Sequence, residues 1–372
     1  MKKIKVKLSK NSYDIFIGKN YYLKIAEEIK KLGLHKNILI IVDKNVKKYW
    51  EEYINKPFNK YENRIEYYVL KPGESSKSYV ELNRIYSFLL ENNFSRDTLV
   101  VAIGGGVTGD LAGYAASTFM RGVQLVHVPT TLLAAVDSSI GGKTGINFNS
   151  RKNMIGTFFQ PKFVLIDINF ISSLPRKEVT SGLGEIIKYA FLSDKDFFKY
   201  LKENIRRVYN NDEGIIANLI LKSAMIKASV VSQDEQESGL RKILNLGHTF
   251  AHAIESDLNF KIKHGEAVIA GIVSALYLSK KTGILNKSRM TEYLSLPLTI
   301  HLPYALQNLN DENMVNIMQQ DKKSRDGKIN FVLMTEAGSI LIDVKTGKNN
   351  ILYSIDRMKE VINNQRFKKI SG

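Results

Sequence analysis

Cysteine is absent from the 372 residues of this chain. Disulfides and thiolate metal sites are therefore excluded, and any bound metal must be held by histidine, aspartate or glutamate. Hydrophobic residues make up 44% of the chain. A chain of this length and composition is too long for one ordinary core and fits about two domains.

Long apolar segments are also missing. No run approaches the roughly eighteen consecutive apolar residues that cross a bilayer, so we expect no transmembrane segment. Residues 1–10 are basic, but Ile4, Val6 and Leu8 alternate with polar residues as in a half-buried strand, and no apolar signal-peptide core follows. We therefore expect a cytoplasmic protein.

Acidic residues are outnumbered, with 37 Asp and Glu against 54 Lys and Arg, for a formal net charge of +17. Such a balance attracts anions, whether nucleic acid, membrane surface or phosphorylated metabolite. The cations are spread along the chain without a basic, aromatic-interleaved stripe or a recognised nucleic-acid motif. We expect no nucleic-acid partner, and a non-enzymatic nucleic-acid-binding protein is the weakest alternative.

Short apolar runs alternate with helical patterns in the first half, and the runs cover residues 37–42, 65–70, 98–103, 125–128 and 163–166. This alternation predicts a parallel sheet with crossover helices. After Pro175, helical patterns cover 176–205, 213–232, 245–258 and 265–282, and a hairpin is predicted at 328–343. We predict a Rossmann-like α/β domain over 1–173 and a mainly α-helical domain over 174–372, with the active site in a cleft between them.

A dinucleotide signal follows the 98–103 strand. Gly104, Gly106 and Gly109 fit the GxGxxG pattern, in which glycine lets the backbone approach a pyrophosphate at a helix N-terminus. No acidic residue lies between Leu111 and Val136, where the ribose-binding carboxylate is usual. Asp43, at the end of an earlier strand, could take that role, and a glycine-rich turn without a ligand is the alternative.

Two further polar loops end neighbouring strands. Glu74 and Lys77 follow the strand at 65–70, and Thr130 and Thr131 follow the strand at 125–128. The carboxyl ends of parallel strands share one edge of a sheet, so these loops support a nucleotide site. Each taken singly is more often only a turn.

Three of the six histidines cluster, which indicates a metal site. His248 and His252 are four residues apart and so share a helix face, and His264 begins the next helix. Both of the first two could be ligands, or one could be a ligand and the other an acid–base group. The remaining three, His35, His127 and His301, are interpreted as ordinary structural histidines.

A carboxylate from elsewhere should complete the metal site. Glu185 and Lys188 lie three apart on one face of a largely apolar helix, with a plain salt bridge as the alternative. The run DSSIGGKTGIN adds Asp137 and Lys143, with Lys152 soon after, and this mixture of glycines and cations suits an anion. It is not a phosphate-binding P-loop, because that motif needs glycine at position 137.

As a set, these motifs resemble the dehydroquinate synthase family over essentially the whole chain. They occur in the family's order and spacing: PGE, GGGVTGDLAGYAA, PTTLLAAVDSSIGGKTGIN, GLGEIIKYA, NLGHTFAHAIE, HGEAV and DKK ending at Lys323. The resemblance implies a lyase that converts DAHP, a seven-carbon sugar acid phosphate, to dehydroquinate and phosphate. It also implies catalytic NAD, one zinc or cobalt ion and a homodimer.

In the scheme that the resemblance implies, NAD transiently oxidises a substrate hydroxyl, phosphate is eliminated, hydride returns, and an intramolecular aldol step closes the ring. The implied metal ligands are Glu185, His248 and His264. The implied NAD contacts are Asp43, Glu74, Lys77, Gly105, Gly106, Asp110, Thr130, Thr131, Lys143, Lys152, Ser173, Leu174 and Glu178. The implied substrate contacts are Arg121, Asp137, Lys143, Lys152, Lys188, Lys227, Arg241, Asn245, His252 and one of Lys322 or Lys323. Of these last two, we choose Lys322.

Two enzymes of other specificity compete with this prediction. One is another sugar-phosphate cyclase, which acts on a different phosphorylated sugar. Arg241 and the pair Lys322 and Lys323 argue against it, because they favour a substrate that carries a carboxylate. The other is a metal-dependent polyol or alcohol dehydrogenase of the related fold, which needs no phosphate pocket. The cations at 143, 151 and 152 argue against the dehydrogenase.

Overall fold

The computed structural model describes residues 1–33, 36–59, 64–149, 151–320 and 329–370, with side chains described as far as 364. Two compact units are formed, the first by 1–175 with 213–236 and the second by 176–212 with 237–372. Segment 213–236 was predicted to lie in the second domain. The contacts place this segment in the first unit, because its helix packs on the first two strands and on the turn at 134–138.

The strands of the described residues are β1 Lys2–Val6, β2 Tyr13–Gly18, β3 Asn37–Asp43, β4 Arg64–Leu70, β5 Thr98–Gly104, β6 Gln124–Pro129, β7 Lys143–Phe148, β8 Arg151–Phe158, β9 Phe163–Asp167, β10 Asn330–Glu336 and β11 Ser339–Lys345. The helices are α1 Ile25–Lys31, α2 Lys44–Asn55, α3 Tyr79–Glu91, α4 Gly106–Thr118, α5 Arg176–Leu192, α6 Lys195–Tyr209, α7 Glu213–Gln233, α8 His248–Asp257, α9 His264–Lys281, α10 Lys287–Leu294, α11 Asp311–Gln320 and α12 Lys348–Ile370. All five strands predicted in the first half are confirmed.

The first unit is built on a seven-stranded sheet in the order β1-β2-β9-β6-β5-β3-β4, in which β1 is antiparallel and the remaining neighbours are parallel. From β3 the chain moves outward to β4, whereas from β5 it moves the opposite way to β6. The strand order therefore reverses between β3 and β5. Ligands of open parallel sheets bind off the carboxyl ends of strands at such a reversal, and here those ends carry Asp43 and Gly104.

Both faces of the central strands of this sheet are covered, which explains why β3, β5 and β9 are apolar without alternation. On one face, Ile40, Val101 and Val126 pack with residues of α1 and α2. On the other face, Ile41 and Val100 pack with residues of α3 and α4. All seven residues of β5 are buried, so the strand that leads to Gly105 is fixed by the core on both sides.

One hairpin of the first unit was not predicted. β7 and β8 pair antiparallel with Lys143 opposite Phe158, across the segment that the sequence analysis treated as an anion-binding loop. The two strands approach closely at Gly145 of β7 and Gly156 of β8, where an added Cβ would lie 2.4 and 2.0 Å from carbonyl oxygens of the facing strand. The hairpin therefore carries Lys143 on β7 and Lys152 on β8.

The second unit is mainly helical, as predicted, with the hairpin of β10 and β11 added to it. The single helix predicted over 176–205 is two helices. Asp194 separates them, because its carboxylate accepts a hydrogen bond from the backbone N–H of Phe197 at 2.8 Å and so begins α6. The terminal helices α10, α11 and α12 were not predicted.

Helix α7 is long and apolar enough to cross a membrane by length and composition, a possibility that the sequence analysis had set aside. Within the first unit, however, 56% of its apolar window is buried. It also carries the buried Lys227, whose ammonium pairs with Asp137. A core helix of a folded unit accounts for these features.

His127 lies in β6 with 6% of its surface exposed, and burial lowers its pKa to about 4. The unfolded chain binds a proton below about pH 6.5, whereas the folded chain does not until about pH 4, so stability falls as the pH drops through this window. Acidification from about pH 7.5 to about pH 5 should therefore lower the free energy of unfolding of the wild type by about 2 kcal/mol more than it lowers that of His127→Phe.

Urea denaturation followed by the fluorescence of Trp50 measures this difference, since Trp50 is the only tryptophan of the chain and belongs to the first unit. Comparing the two pH dependences removes the direct cost of the substitution. Equal pH dependences for the two proteins would show that His127 does not titrate in this way.

Candidate functional site

Glu185, His248 and His264 form the one group of three potential metal ligands within the described ranges, and their ligand atoms all lie within 4.8 Å of one another. Oε1 of Glu185 is 3.4 Å from Nε2 of His248 and 3.3 Å from Nε2 of His264. Glu185 is completely buried, and its Oε2 is paired with the ammonium of Lys188. A buried carboxylate that faces two imidazole nitrogens is the donor set of a divalent-metal site.

The other ring nitrogen of each histidine is engaged away from this group. Nδ1 of His248 is 3.3 Å from the carbonyl oxygen of Leu246, and Nδ1 of His264 is 3.4 Å from Oε2 of Glu255. A carbonyl or an ionised carboxylate can only accept, so each Nδ1 carries the proton and donates it. Each Nε2 faces Glu185, and it would offer its lone pair to a metal bound there, with the proton kept on Nδ1.

Helices α5, α8 and α9 bring the three ligands together, and each ligand is next to a glycine at a close backbone contact. An added Cβ on Gly184 would lie 2.3 Å from the carbonyl oxygen of Gly265, and one on Gly265 would lie 1.9 Å from the carbonyl oxygen of Ser181. An added Cβ on Gly271 would lie 2.2 Å from the carbonyl oxygen of Gly247, which precedes His248. The ligand positions therefore depend on backbones that touch directly.

The electrostatics of the group follow from its burial and its close charges. Burial alone would raise the pKa of Glu185, but the Lys188 ammonium and the two histidines hold that pKa well below its ordinary value, so the carboxylate stays ionised. Burial lowers the pKa of His248 to about 4, with Lys188 contributing. Burial alone would lower the pKa of His264 as well, but its contacts with Glu185 and Glu255 raise that pKa to about 10.

Lys188 pairs with Glu185 on the same helix, and both side chains are buried. A plain salt bridge between these two residues was the predicted alternative to a site. The structure contains the ion pair and places it against two histidines. The salt bridge is thus part of the ligand group rather than separate from it.

The glycine-rich loop of the first unit joins β5 to α4. Gly105 is the N-cap of α4 and has no side chain to bond the N–H groups of the first turn, which leaves them for an anion. An added Cβ on Gly104 would lie 2.4 Å from Oγ1 of Thr108, whereas one on Gly109 would make an ordinary 3.5 Å contact with His127. Packing thus demands the first glycine of the motif and tolerates a side chain at the third.

Polar groups surround this loop. The buried hydroxyl of Thr130 has no hydrogen-bond partner in the described part of the chain, and its backbone N–H donates to the carbonyl of Gly104 at 2.9 Å. Lys77 is buried and contacts both Asp110 and Asn153. Burial raises the pKa of Asp110, and the Lys77 ammonium only partly offsets this. An unsatisfied buried hydroxyl beside an open helix N-terminus fits a bound dinucleotide.

Three lysines are buried in the described part of the chain, and all three were predicted site residues: Lys77, Lys188 and Lys227. Each pairs with a carboxylate that was also predicted. Lys77 pairs with Asp110, Lys188 pairs with Glu185, and Lys227 lies 2.8 Å from Oδ1 of Asp137. Buried charges are rare and are retained mostly in pairs or at functional sites, so this coincidence supports the predicted residues.

The remaining residues predicted to bind NAD have structural contacts of their own. Asp43 caps α2 by accepting from the backbone N–H of Asn45 at 2.8 Å, and Glu74 accepts from Asn147 at 2.8 Å. Ser173 accepts from Trp50 at 2.9 Å and precedes Leu174 at the end of a short 3₁₀ turn. Glu178, in the second unit, pairs with Lys263 at 2.6 Å. These contacts leave the NAD assignments as predictions.

The predicted substrate residues are divided between the two units. The first unit carries Arg121 and Lys143, both exposed, with Lys152, Asp137 and Lys227. The second unit carries the buried Arg241, Asn245, and the exposed His252, whose ring centroid is 5.6 Å from that of His248. Lys322 and Lys323 lie outside the described residues.

Three residues in contact with predicted site residues were missed. Asn153 contacts Lys77, Glu237 accepts from Asn245 at 2.8 Å, and Glu255 faces His264. For Glu255 a signal was present, because His248, His252 and Glu255 follow one another at four and three residues and so share one face of α8. Asn153 and Glu237 have positive φ values of 55° and 61°, which spacing in the sequence does not predict.

Comparison with known proteins agrees with these features. A family model described as 3-dehydroquinate synthase N-terminal matches residues 67–181, and one described as 3-dehydroquinate synthase C-terminal matches residues 182–324. A protein of Alkaliphilus metalliredigens named 3-dehydroquinate synthase is 41% identical over 342 residues, which are 91% of this chain and 94% of that protein.

Solved structures share the fold. The 2-epi-5-epi-valiolone synthase of Streptomyces hygroscopicus, with NAD+ and Zn2+ bound, has a TM-score of 0.87 at 25% identity and covers 95% of this chain and 98% of its own. A 2-deoxy-scyllo-inosose synthase in complex with carbaglucose-6-phosphate, NAD+ and Co2+ has a TM-score of 0.85 at 24% identity, covering 96% and 99%. The fold class predicted from the sequence is confirmed.

The Gly265 contact predicts a severe effect of one added methyl group. Gly265→Ala should lower the free energy of unfolding by about 1–3 kcal/mol, because the new Cβ would overlap the backbone of α5. Gly109→Ala is the matched control, since it also fills a helical glycine but makes only an ordinary contact, and alanine favours helix by up to about 1 kcal/mol. Urea denaturation followed by far-UV circular dichroism compares the two, and equal stabilities would contradict the close-contact argument.

Proposed function

Because this chain belongs to the 3-dehydroquinate synthase family, we propose that it converts DAHP to dehydroquinate and phosphate, with catalytic NAD and one divalent metal ion. The observation that carries the proposal is the buried, ionised carboxylate of Glu185 between the Nε2 atoms of His248 and His264. Identity also favours this substrate, since the Alkaliphilus relative is 41% identical and the two cyclases of other specificity are 24–25% identical.

Glu185, His248 and His264 would hold the metal. They offer one oxygen and two imidazole nitrogens, a ligand set that suits zinc or cobalt. Glycines next to each ligand hold the three helices at their separation, so the ligands are arranged before a metal arrives. The chain has no cysteine, which agrees with a site that offers only oxygen and nitrogen.

The NAD site is proposed on the carboxyl edge of the first unit's sheet, where the strand order reverses. The pyrophosphate would face the N-terminus of α4 at Gly105 and Gly106, beside the hydroxyls of Thr130 and Thr131. The further contacts proposed from the family pattern are Asp43, Glu74, Lys77, Asp110, Lys143, Lys152, Ser173, Leu174 and Glu178. This placement is supported by the strand reversal and by the unsatisfied hydroxyl of Thr130.

When bound, the metal and NAD supply a temporary oxidation of a substrate hydroxyl, which acidifies the neighbouring C–H so that phosphate can leave. The protein's own groups bind and orient the substrate. We assign its two anionic groups, phosphate and carboxylate, to the cations Arg121, Lys143, Lys152, Arg241 and Lys322. Guanidinium and ammonium groups bind such anions through charge-assisted hydrogen bonds.

The paired residues have a different role from these five cations. Lys227 binds both the carboxylate and the carbonyl oxygen of Asp137, at 2.8 Å each, and so fixes the turn at 134–138 that carries Asp137. We propose that Asp137, Lys227, Lys188 and Asn245 meet substrate hydroxyls. His252, exposed beside His248, is proposed to move protons, because imidazole accepts and donates protons near neutral pH.

We also propose that the protein acts in the cytoplasm and as a homodimer. Both statements rest on the family pattern. The proposed partner is a small phosphorylated sugar acid, with no nucleic acid and no membrane.

Incubation with DAHP, catalytic NAD and zinc should release one phosphate per substrate without accumulation of NADH, because the hydride is returned to the product. Phosphate release and absorbance of NADH are followed together. A different sugar phosphate turned over in place of DAHP would identify another cyclase, and stoichiometric NADH without phosphate would identify a dehydrogenase. Absence of phosphate release with every divalent metal tried would refute the proposal.

Two histidine variants separate ligand from substrate contact. His264→Ala should lose metal and activity together, because its Nε2 belongs to the ligand group. His252→Ala should keep the metal while its rate falls by about 100-fold or more, as for loss of a proton-transfer group. Elemental analysis after dialysis measures the bound metal, and the opposite pattern would overturn the assignment of the two residues.

A further inference from the structure

Glu255 is a buried carboxylate that makes contact with a proposed metal ligand but belongs to no assigned set. It lies in α8 with 3% of its side chain exposed. Its Oε2 is 3.4 Å from Nδ1 of His264, whose Nε2 is in turn 3.3 Å from Oε1 of Glu185. The imidazole of His264 is thus held between two carboxylates, one on each ring nitrogen.

This arrangement has a parallel at the second histidine. Nδ1 of His248 faces the carbonyl oxygen of Leu246, an atom that can only accept. Both histidines therefore present Nε2 to Glu185 and donate from Nδ1, but they do so to different acceptors, a neutral carbonyl in one case and a carboxylate in the other. A carboxylate on the far nitrogen makes an imidazole a stronger metal ligand than a carbonyl does, and it also fixes the orientation of the ring.

Two helices, α8 and α9, set the position of Glu255 relative to the ligands. It follows His248 by seven residues on α8, so two helical turns carry it to the same face. His264 begins α9 only nine residues later. The connection between α8 and α9 is short. Helix α8 therefore supplies the ligand His248 and also Glu255, the carboxylate that contacts the ligand His264 at the start of α9.

We infer that Glu255 is a positioning residue, which keeps the Nδ1–H form of His264 and turns its Nε2 toward Glu185, and so raises the affinity of the three-residue site for a divalent metal. The inference rests on the metal site of the proposed function. It concerns the binding of the metal and requires no turnover of substrate.

The test compares the affinity for Zn²⁺ alone, measured by competition with a chromophoric chelator, in wild type, Glu255→Gln and Glu255→Ala. Loss of such a partner typically weakens metal binding by about 10–100-fold. We expect a loss in this range for Glu255→Ala and a smaller loss for Glu255→Gln, whose amide oxygen can still accept from Nδ1 but carries no charge. Glu255→Gln preserves the size of the side chain, which guards against a variant that fails to fold.

Glu266→Gln is the matched control. Glu266 is also a buried glutamate close to His264, with 8% of its surface exposed, but its carboxylate accepts from the backbone N–H of Lys263 at 3.1 Å. Glutamine keeps an amide oxygen that can still accept from this N–H, so Glu266→Gln removes the charge without displacing the start of α9 or changing the partner of His264. Its affinity for zinc should stay within about threefold of the wild type, in contrast to the loss typical of a ligand's partner.

A second measurement reports on the ring itself. In the Co²⁺-loaded protein, the Nδ1–H protons of coordinated histidines give shifted proton resonances that disappear in D₂O. In wild type we expect one such resonance from each ligand histidine. In Glu255→Ala the resonance of His264 should broaden through exchange with water while that of His248 persists, which a merely structural loosening would not produce selectively.

The outcomes are distinguishable. Equal zinc affinities and unchanged resonances in wild type and both Glu255 variants would overturn this inference and leave the proposed function intact. An equal loss of affinity in Glu266→Gln would also overturn it, since the effect would then not depend on the contact with His264. A wild-type protein that binds zinc but releases no phosphate from DAHP would overturn the proposed function alone.

Discussion

Direct contact between helix backbones is the constraint on which the ligand group depends. Gly184 meets Gly265, and Gly247 meets Gly271, at distances where a Cβ on either side would overlap the facing backbone. Glu185, His248 and His264 are the immediate neighbours of three of these glycines. A glycine in a helix costs about 0.5–1 kcal/mol relative to alanine, so these positions bear a local cost that the close approach of the helices offsets. Because the backbones are in contact, the ligand side chains next to these glycines also lie close to one another.

The same principle operates at the dinucleotide loop of the first unit, with a different consequence. Gly104 ends a strand that is buried along its whole length, and Thr108 of the following helix occupies the space that a Cβ would need. The helix therefore begins as close as possible to the strand, and its N-terminus stands at the edge of the sheet where the strand order reverses. At Gly109 the contact with His127 is of ordinary length. Two glycines of one sequence motif thus differ in what the packing requires of them.

Patterns of local origin were predicted well, and features of tertiary origin were not. The five parallel strands follow from apolar runs that both faces of the sheet bury, and the ligand group follows from histidine spacing and the family pattern. The hairpin at 143–158 was missed because its glycines resemble a loop, although they serve close pairing of two strands. The membership of α7 in the first unit was missed because contacts, and not chain order, decide it. Glu255 was missed although its spacing from His248 and His252 on α8 was a signal, because its role depends on the contact with His264 of the next helix.

Charge pairing recurs in both units, and each pair lies within one unit. The chain carries an excess of 17 positive charges, yet each buried lysine in the described part of the chain is matched by a carboxylate. Replacing a buried ion pair with apolar residues is often neutral or stabilising, so such pairs contribute little to stability by themselves. Three of them, all at residues that the family pattern assigns to ligands, are better explained by the anions and the metal that the protein handles. Each of these pairs is neutral, so the charge proposed to bind the substrate's anionic groups must come from other cations, such as the exposed Arg121 and Lys143.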